Sequence, residues 1–179
     1  GFDEENIELA RVIGLLHDIG RFEQLRVYDT YDDSKSIDHA DYSCVQLFEK
    51  GEIKRFVSNE KWYPIIEFAI RNHNKKDLEE VNDEQMMLQA KLMRDTDKID
   101  IIYLLGYLKE IDITPIESEI SNKVMKEINN RHVICKKDVL NKNDFYAMQY
   151  SFVFDMNFDV CFETKGLLVQ SKSLHFYLG

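Results

Sequence analysis

Residues 15–24 read LLHDIGRFEQ and place a histidine and an aspartate side by side at the end of an apolar helical run. His17 continues a helical stripe that carries Ala10 and Ile13, so the polar pair begins at a core-facing position. Burying an ionised carboxylate without a partner is very unfavourable, and even an unpaired neutral polar group costs roughly 1–3 kcal/mol. The stretch therefore predicts that the pair contacts other polar groups or holds a cation.

The rest of the chain carries the same helical spacing. Apolar residues recur at steps of three and four almost throughout, while alternation with a period of two is short and rare, which predicts an all-α helical bundle. We expect helices over roughly 3–20, 38–50, 59–73, 83–109, 115–130 and 144–163. The polar, aperiodic stretch 25–37 predicts a long loop that borders the His-Asp pair.

Composition narrows the classes of function. The length of 179 residues favours one domain, and the formal net charge of −10 argues against nucleic acid as a partner, because such binding depends on cationic contacts to phosphate. No apolar run approaches the roughly 18–20 residues that a membrane span requires. The three cysteines lie far apart and form no CxxC pair. We therefore expect a cytoplasmic protein with reduced cysteines that binds no membrane.

Two further polar residues lie on apolar helical stripes. Asp97 shares its stripe with Met93 and Ile101, and His73 shares one with Ala69. Taken singly, each is typical of a hydrogen-bonded core residue or of a partner in an ion pair. Taken with the His-Asp pair, they predict a shared site, because the helices of a bundle converge on its core. Nitrogen and carboxylate ligands in this mix suit a divalent transition metal such as Mn, Fe, Ni or Zn.

The order of these residues is similar to that of a known family. The His-Asp pair is followed by His39 in DHADYS, His73 in AIRNHN and Asp97 in RDTDKID. In this order the sequence resembles the HD-domain superfamily, which comprises metal-dependent phosphohydrolases with helical folds. The resemblance covers at least residues 7–105, and we expect C-terminal helices within 115–179 to pack on this motif core in a single domain.

The resemblance implies a set of metal ligands. His17, Asp18 and Asp97 would bind one metal, and Asp18 would bridge to a second metal held by His39 and His73. One or two divalent ions are therefore expected as cofactors. The family has a further histidine on the helix before the pair, whereas no histidine precedes His17 in this sequence. Either that ligand lies upstream in the intact protein or the first metal site is one ligand short.

The implied activity is hydrolysis of a small phosphate ester or nucleotide by a metal-activated water, with Asp18 orienting the metals and the nucleophile. Arg21 and Lys98 are the nearest cations in sequence, and we expect them to contact the phosphoryl oxygens, although each suits an ordinary surface ion pair equally well. A hypothesis of a different class is a non-catalytic metal-binding or ligand-sensing module. The acidic composition favours a small soluble phosphorylated substrate, and the oligomeric state is left open.

Overall fold

The computed structural model describes residues 2–107 and 119–163, with side chains described for 2–104 and 119–161. Within these ranges every regular element is a helix and no strand occurs, which confirms the predicted all-α fold. The α-helices are α1 (Glu4–Leu16), α2 (Gly20–Tyr28), α3 (His39–Cys44), α4 (Tyr63–Asn72), α5 (Glu84–Tyr107), α6 (Asn122–Asn129) and α7 (Lys142–Ser151).

Two compact units make up the chain, residues 1–94 and 95–179, and the boundary between them falls within α5. Each unit is considered by itself. The expectation of one domain, with the C-terminal helices packed on the motif core, stays a prediction. In the part of the chain that the structure describes, no helix combines the length and the apolar character that crossing a membrane requires.

Four helices of the first unit pack around a common core. α1 packs on α4, and α3 packs on both α2 and α4. The Asp3 carboxylate caps α1 by accepting the Asn6 backbone N–H, and Glu4 and Glu5 lie in the first turn, where negative charge is favourable. The buried core comprises Leu9, Ile13, Leu16, Cys44, Leu47, Ile53, Val57, Ile65, Ile66, Ala69, Ile70, Ala90 and Met93.

The first helix ends earlier than the predicted range 3–20. The carbonyl oxygen of Gly14 contacts the ring Nδ1 of His17 at 2.8 Å, and the Ile19 N–H bonds to the Leu16 carbonyl only three residues back. A side chain that competes for a helical carbonyl and a tightened last turn are both features of helix ends. The His-Asp pair therefore lies in a turn between α1 and α2 rather than inside a helix.

The second helix occupies part of the predicted loop 25–37, so the predicted start of that loop was wrong. α2 continues to Tyr28 and ends where Asp29 adopts a left-handed conformation with φ 50°, which aspartate tolerates better than most residues. A 3₁₀ turn at Asp33–Lys35 lies within the remaining loop. Periodicity did not reveal α2, because its buried residue Gln24 is held by hydrogen bonds to the loop rather than by apolar contacts.

The structure contains helices at the predicted ranges 38–50, 59–73 and 83–109, although the last two residues of the third range lie outside the described ones. α3 continues into a π-helical turn over Val45–Glu49, and Gly51 follows with a positive φ of 76°. A 3₁₀ turn precedes α4. These boundaries place the start of α3 and the end of α4 in the same unit as the His-Asp turn.

The single helix predicted over 144–163 was wrong. α7 ends at Ser151, and two 3₁₀ turns follow it. The buried Asp95 carboxylate accepts hydrogen bonds from the backbone N–H groups of Asn157 and Phe158 at 2.8 and 3.0 Å. These N–H groups are thereby satisfied outside any helix, which accounts for the break between the two 3₁₀ turns.

α6 and α7 belong to the second unit. α6 covers the later part of the predicted range 115–130, whose first four residues lie outside the described ones. Asp144 is buried and accepts hydrogen bonds from the backbone N–H groups of Ser121 (2.8 Å) and Leu140 (3.0 Å), so it ties both segments to α7. The buried apolar residues here are Val124, Ile134, Ala147 and Met148.

Candidate metal centre

Four polar side chains of the first unit converge at one point. Asp18 Oδ1 lies 3.3 Å from His39 Nε2 and 3.7 Å from His73 Nε2, and the two Nε2 atoms are 3.0 Å apart. Asp18 Oδ2 lies 3.7 Å from His17 Nε2. The two oxygens of one carboxylate therefore face different imidazole rings. The set contains four of the five predicted metal ligands.

Three segments of the chain carry these residues. His17 and Asp18 lie in the turn after α1, His39 is the first residue of α3, and His73 directly follows α4. Asp38 caps α3 by accepting two backbone N–H groups, which fixes where that helix begins. His39 and His73 are each only 3% exposed, so both rings are held away from solvent.

A close approach of α2 to α3 holds the His-Asp turn against His39. A Cβ atom on Gly20 would lie 2.4 Å from the His39 carbonyl oxygen, so this position admits no larger residue without a shift of backbone. The Gly20 N–H donates to Ser43 Oγ at 2.9 Å. The Ser43 hydroxyl also lies 2.9 Å and 2.8 Å from the carbonyl oxygens of His17 and His39. One buried hydroxyl thus links two segments that carry predicted ligands.

Two of the histidines use Nδ1 to contact a backbone carbonyl. His17 Nδ1 lies 2.8 Å from the Gly14 oxygen, and His73 Nδ1 lies 2.6 Å from the Ile70 oxygen. Because a carbonyl oxygen can only accept, the hydrogen lies on Nδ1, and the neutral ring carries its lone pair at Nε2. This arrangement is the one that metal-binding histidines show.

A carboxylate orients His39 in the same way. Asp33 Oδ2 lies 2.6 Å from His39 Nδ1, and Asp33 Oδ1 accepts a hydrogen bond from Gln24 at 2.8 Å. Burial raises the pKa of Asp33, but hydrogen bonds from Gln24 and His39 outweigh burial and hold this pKa below its ordinary value. Asp33 is not among the predicted site residues, and it lies in the polar loop beside the pair.

The donor atoms fit a divalent metal ion. The Nε2 lone pairs of His39 and His73 face one another at 3.0 Å and repel unless a positive charge lies between them. Two ligands of one ion, each at about 2.1 Å from it, are separated by about 3.0–3.4 Å. The Asp18–His39 separation of 3.3 Å falls in the same range. Among the described residues, the buried Asp18 Oδ1 has no hydrogen-bond partner, which a role as metal ligand would satisfy.

Arg21 lies at the edge of this set. Its Nη2 is 3.2 Å from His39 Nε2, and its Nε is 3.6 Å from Asp18 Oδ1. Its Nη1 donates to the Tyr31 carbonyl at 2.9 Å and to Asp33 at 3.0 Å. These bonds fix the guanidinium beside the predicted ligands.

Asp33, Asp38 and His39 form a second group of possible ligands, but the contacts of the two carboxylates point to other roles. Asp38 accepts hydrogen bonds from Lys75 and Asn74, each at 2.9 Å. Burial raises the pKa of Asp38, yet hydrogen bonds from Lys75, from a backbone N–H and from Asn74 lower it to about 2. We therefore assign Asp38 to the start of α3 and Asp33 to the orientation of His39.

The remaining predicted site residues, Asp97 and Lys98, belong to the second unit. Asp97 is half-buried on α5, and its role as a metal ligand stays a prediction. Lys98 is buried and its ammonium group pairs with Asp155 at 2.7 Å. Lys98 therefore forms an ion pair, as in the predicted alternative to a phosphoryl contact, but the pair is buried and not at the surface as that alternative had it. The catalytic role of Lys98 stays a prediction.

Comparison with protein families gives a match to the HD domain over residues 1–102, which is 102 of the 179 residues. Comparison with curated proteins and with solved structures gives no match. The matched range contains all of the predicted metal ligands: His17, Asp18, His39, His73 and Asp97.

Proposed function

The chain belongs to the HD domain family, and on that premise we propose that it is a metal-dependent phosphohydrolase that acts on a small phosphate ester. The observation that carries the proposal is the convergence of three imidazole Nε2 atoms on the Asp18 carboxylate. Each ring is fixed through Nδ1, so each presents a lone pair to the same place. Divalent metals are the cofactors that this family binds, and most of its members are hydrolases.

The proposed ligands divide between the two oxygens of Asp18. His39 Nε2, His73 Nε2 and Asp18 Oδ1 would hold one ion. His17 Nε2 and Asp18 Oδ2 would face a second, for which Asp97 is the proposed further ligand. When bound, a divalent ion supplies Lewis acidity toward a phosphoryl oxygen and lowers the pKa of a water molecule.

Two side chains orient the substrate and the nucleophile in this proposal. The Asp18 side chain is 43% exposed, so its open side can accept a hydrogen bond from the attacking water and direct that water toward phosphorus. The Arg21 guanidinium is held by Asp33 and the Tyr31 carbonyl, so it offers positive charge to phosphoryl oxygens from a fixed position.

Metal uptake and phosphate release test the proposal separately. We expect calorimetry to detect binding of Mn²⁺, Ni²⁺ or Zn²⁺, and a panel of phosphomonoesters and nucleotides to release phosphate when the ion is bound. Asp18→Asn should lower metal affinity by about 100-fold or more and abolish release, because it removes the charge on which the imidazoles converge. His132→Gln is the control, since this exposed histidine pairs with Glu127 in the second unit and should leave both readouts unchanged.

The outcomes distinguish the two hypotheses of function. Metal binding without release from any compound would favour a non-catalytic metal-binding module. Release that persists undiminished in Asp18→Asn would exclude the metal-dependent reaction proposed for this site. Anomalous scattering at the Asp18 position would identify the ion.

A further inference from the structure

A cleft of about 540 Å³ opens beside the Asp18 carboxylate in the first unit. Asp18 and Arg21 are the charged residues of its lining, and Arg21 Nε lies 3.6 Å from Asp18 Oδ1. The rest of its lining consists of Leu15, Leu16, Ile19, Phe22, Tyr31 and Phe56. Clefts that bind small molecules typically enclose roughly 300–1,000 Å³ and are mainly apolar with a few polar groups. The cleft has the size and the composition of a site for the organic part of a small substrate.

The large side chains of this lining are exposed to an unusual degree. The exposed fraction is 80% for Phe22, 75% for Leu15, 61% for Tyr31 and 47% for Phe56. Isolated exposed apolar residues are ordinary, but a group of them beside a polar site marks a binding surface.

The packing that builds the metal centre also places Phe22 at the cleft. Gly20 and Gln24 lie one helical turn apart on α2, where Gly20 contacts α3 and Gln24 is buried against the following loop. Phe22 is about 200° from Gly20 around the helix, so it lies on the opposite face. Leu15 precedes the His-Asp pair by two residues and flanks the same opening.

Resting on the proposed function, we propose that the organic part of the phosphate ester is a flat, uncharged ring system. The ring lies against Phe22, Tyr31 and Phe56, because aromatic side chains favour stacked and edge-on contacts with other rings. The phosphoryl group lies beside Asp18 and Arg21.

The distribution of charge in the cleft decides which esters are disfavoured. The two charged side chains of the lining, Asp18 and Arg21, lie next to each other. The apolar part offers no ion pair to a second phosphate, a carboxylate or an ammonium group. The cleft should therefore prefer ring-bearing monoesters over sugar phosphates and over compounds with a second charged group.

Two phosphonates that resist hydrolysis and share a head group test this assignment. Calorimetry would compare 1-naphthylmethylphosphonate with 2-hydroxyethylphosphonate on the full chain, with and without Mn²⁺. We expect the naphthyl compound to bind at least about tenfold more tightly, and Phe22→Ala to remove most of this preference. Leu15→Ala and Leu140→Ala are matched, since these leucines are 75% and 78% exposed and only Leu15 lines the cleft. Only Leu15→Ala should weaken binding of the naphthyl compound.

Several outcomes would overturn the inference. These are equal affinities for the two phosphonates, binding of neither, or a preference that survives Phe22→Ala. Light scattering would show whether Phe22→Ala changes the oligomeric state. If it does while the preference for the naphthyl compound remains, the apolar face is an interface between copies of the chain.

Metal uptake and phosphate release from a small polar ester report on the proposed function alone. Hydrolysis without a preference for rings would overturn the present inference and leave the proposed function intact. A preference for ring-bearing compounds without metal uptake or hydrolysis would support the claim that the cleft binds a ring, and it would overturn the proposed function.

Discussion

At the scale of single residues, the ring orientation of each histidine depends on the partner of its Nδ1 atom. For His17 and His73 that partner is a backbone carbonyl, which a substitution cannot remove. For His39 it is the Asp33 carboxylate, at 2.6 Å. A carboxylate in this position fixes the tautomer and raises the basicity of the nitrogen that faces the metal. Asp33 is therefore the residue at which ring orientation can be tested by mutation.

We expect Asp33→Ala to lower Mn²⁺ affinity by about 10–100-fold, because His39 loses the acceptor that fixes its Nδ1 hydrogen. Asp33→Asn keeps an acceptor oxygen without the charge and should give an intermediate loss. Calorimetric titration with Mn²⁺ measures the effect, and Asp100→Ala, an exposed site on α5, is the control. A folded Asp33→Ala variant with unchanged affinity would remove Asp33 from the metal site.

At the scale of elements, two glycines flank the turn between α1 and α2 and have opposite requirements, Gly14 within α1 and Gly20 as the first residue of α2. A Cβ atom on Gly14 would meet nothing within 4 Å. A Cβ atom on Gly20 would meet the His39 carbonyl at 2.4 Å and the Ser43 backbone nitrogen at 2.8 Å. Gly14 therefore weakens α1 without a packing benefit, whereas Gly20 permits the contact between α2 and α3 on which the site depends.

These glycines give a matched pair of variants. Gly14→Ala should raise the free energy of unfolding by about 0.5–1 kcal/mol, because alanine loses less backbone entropy in a helix. Gly20→Ala should lower it by about 1–3 kcal/mol, because α2 must move away from α3. Gly20→Ala should also weaken Mn²⁺ binding, since the movement of α2 separates Asp18 from His39. Urea unfolding and calorimetry measure the two effects, and equal stability of the two variants would contradict the packing described.

Helical periodicity predicted the helices near the site better than it predicted the site itself. The apolar stripe before His73 correctly predicted that this histidine is buried, whereas the stripe of His39 runs through Ser43 and predicts an exposed face. Ser43 is buried because its hydroxyl is bound by backbone groups of other segments. Asp95 likewise binds distant N–H groups in the break between the two 3₁₀ turns that follow α7. Polar contacts between distant segments leave no periodic signal in a sequence, so Asp33 and the ends of these helices could not be predicted from it.

Asp144 gives the second unit a defined dependence on pH. Burial raises the pKa of Asp144, but hydrogen bonds from the backbone N–H groups of Ser121, Leu140 and Asn141 outweigh burial and hold this pKa below its ordinary value of 3.8. The stability that this carboxylate supplies is therefore fully present above pH 3.8, the ordinary value, and is lost as the pH falls from there through the lower pKa of the folded state.

We expect the Ser121 and Leu140 amides to keep their hydrogen-exchange protection from about pH 6 down to about pH 4 and to lose it at lower pH, as Asp144 is protonated. Asp144→Asn should reduce the protection of these two amides at the higher pH and remove most of the pH dependence of that protection. The reason is that the NH₂ group of asparagine cannot accept the hydrogen bond that a carboxylate oxygen accepts. Protection factors from NMR, corrected for intrinsic exchange, measure this. A wild-type profile that does not change with pH would contradict the role of Asp144.

At the scale of the whole molecule, the cysteines report on both compact units. Cys44 in the first unit and Cys161 in the second are buried, while Cys135 is half-buried, and all three are free thiols. Burial raises the pKa of Cys44 to about 12. Burial and the hydrogen bond to the Asp95 carboxylate raise the pKa of Cys161 to about 12.

Iodoacetamide at about pH 8 should therefore label Cys135 first, because alkylation requires an accessible thiolate. Cys44 and Cys161 should react only when their surroundings open, and in denaturing guanidinium all three should react at similar rates. Peptide mass spectrometry measures each rate, and labelling of Cys44 as fast as that of Cys135 in the native protein would contradict the packing of α3 against α4. Because Cys44 and Cys161 lie in different units, the ratio of their native rates measures which unit opens more readily.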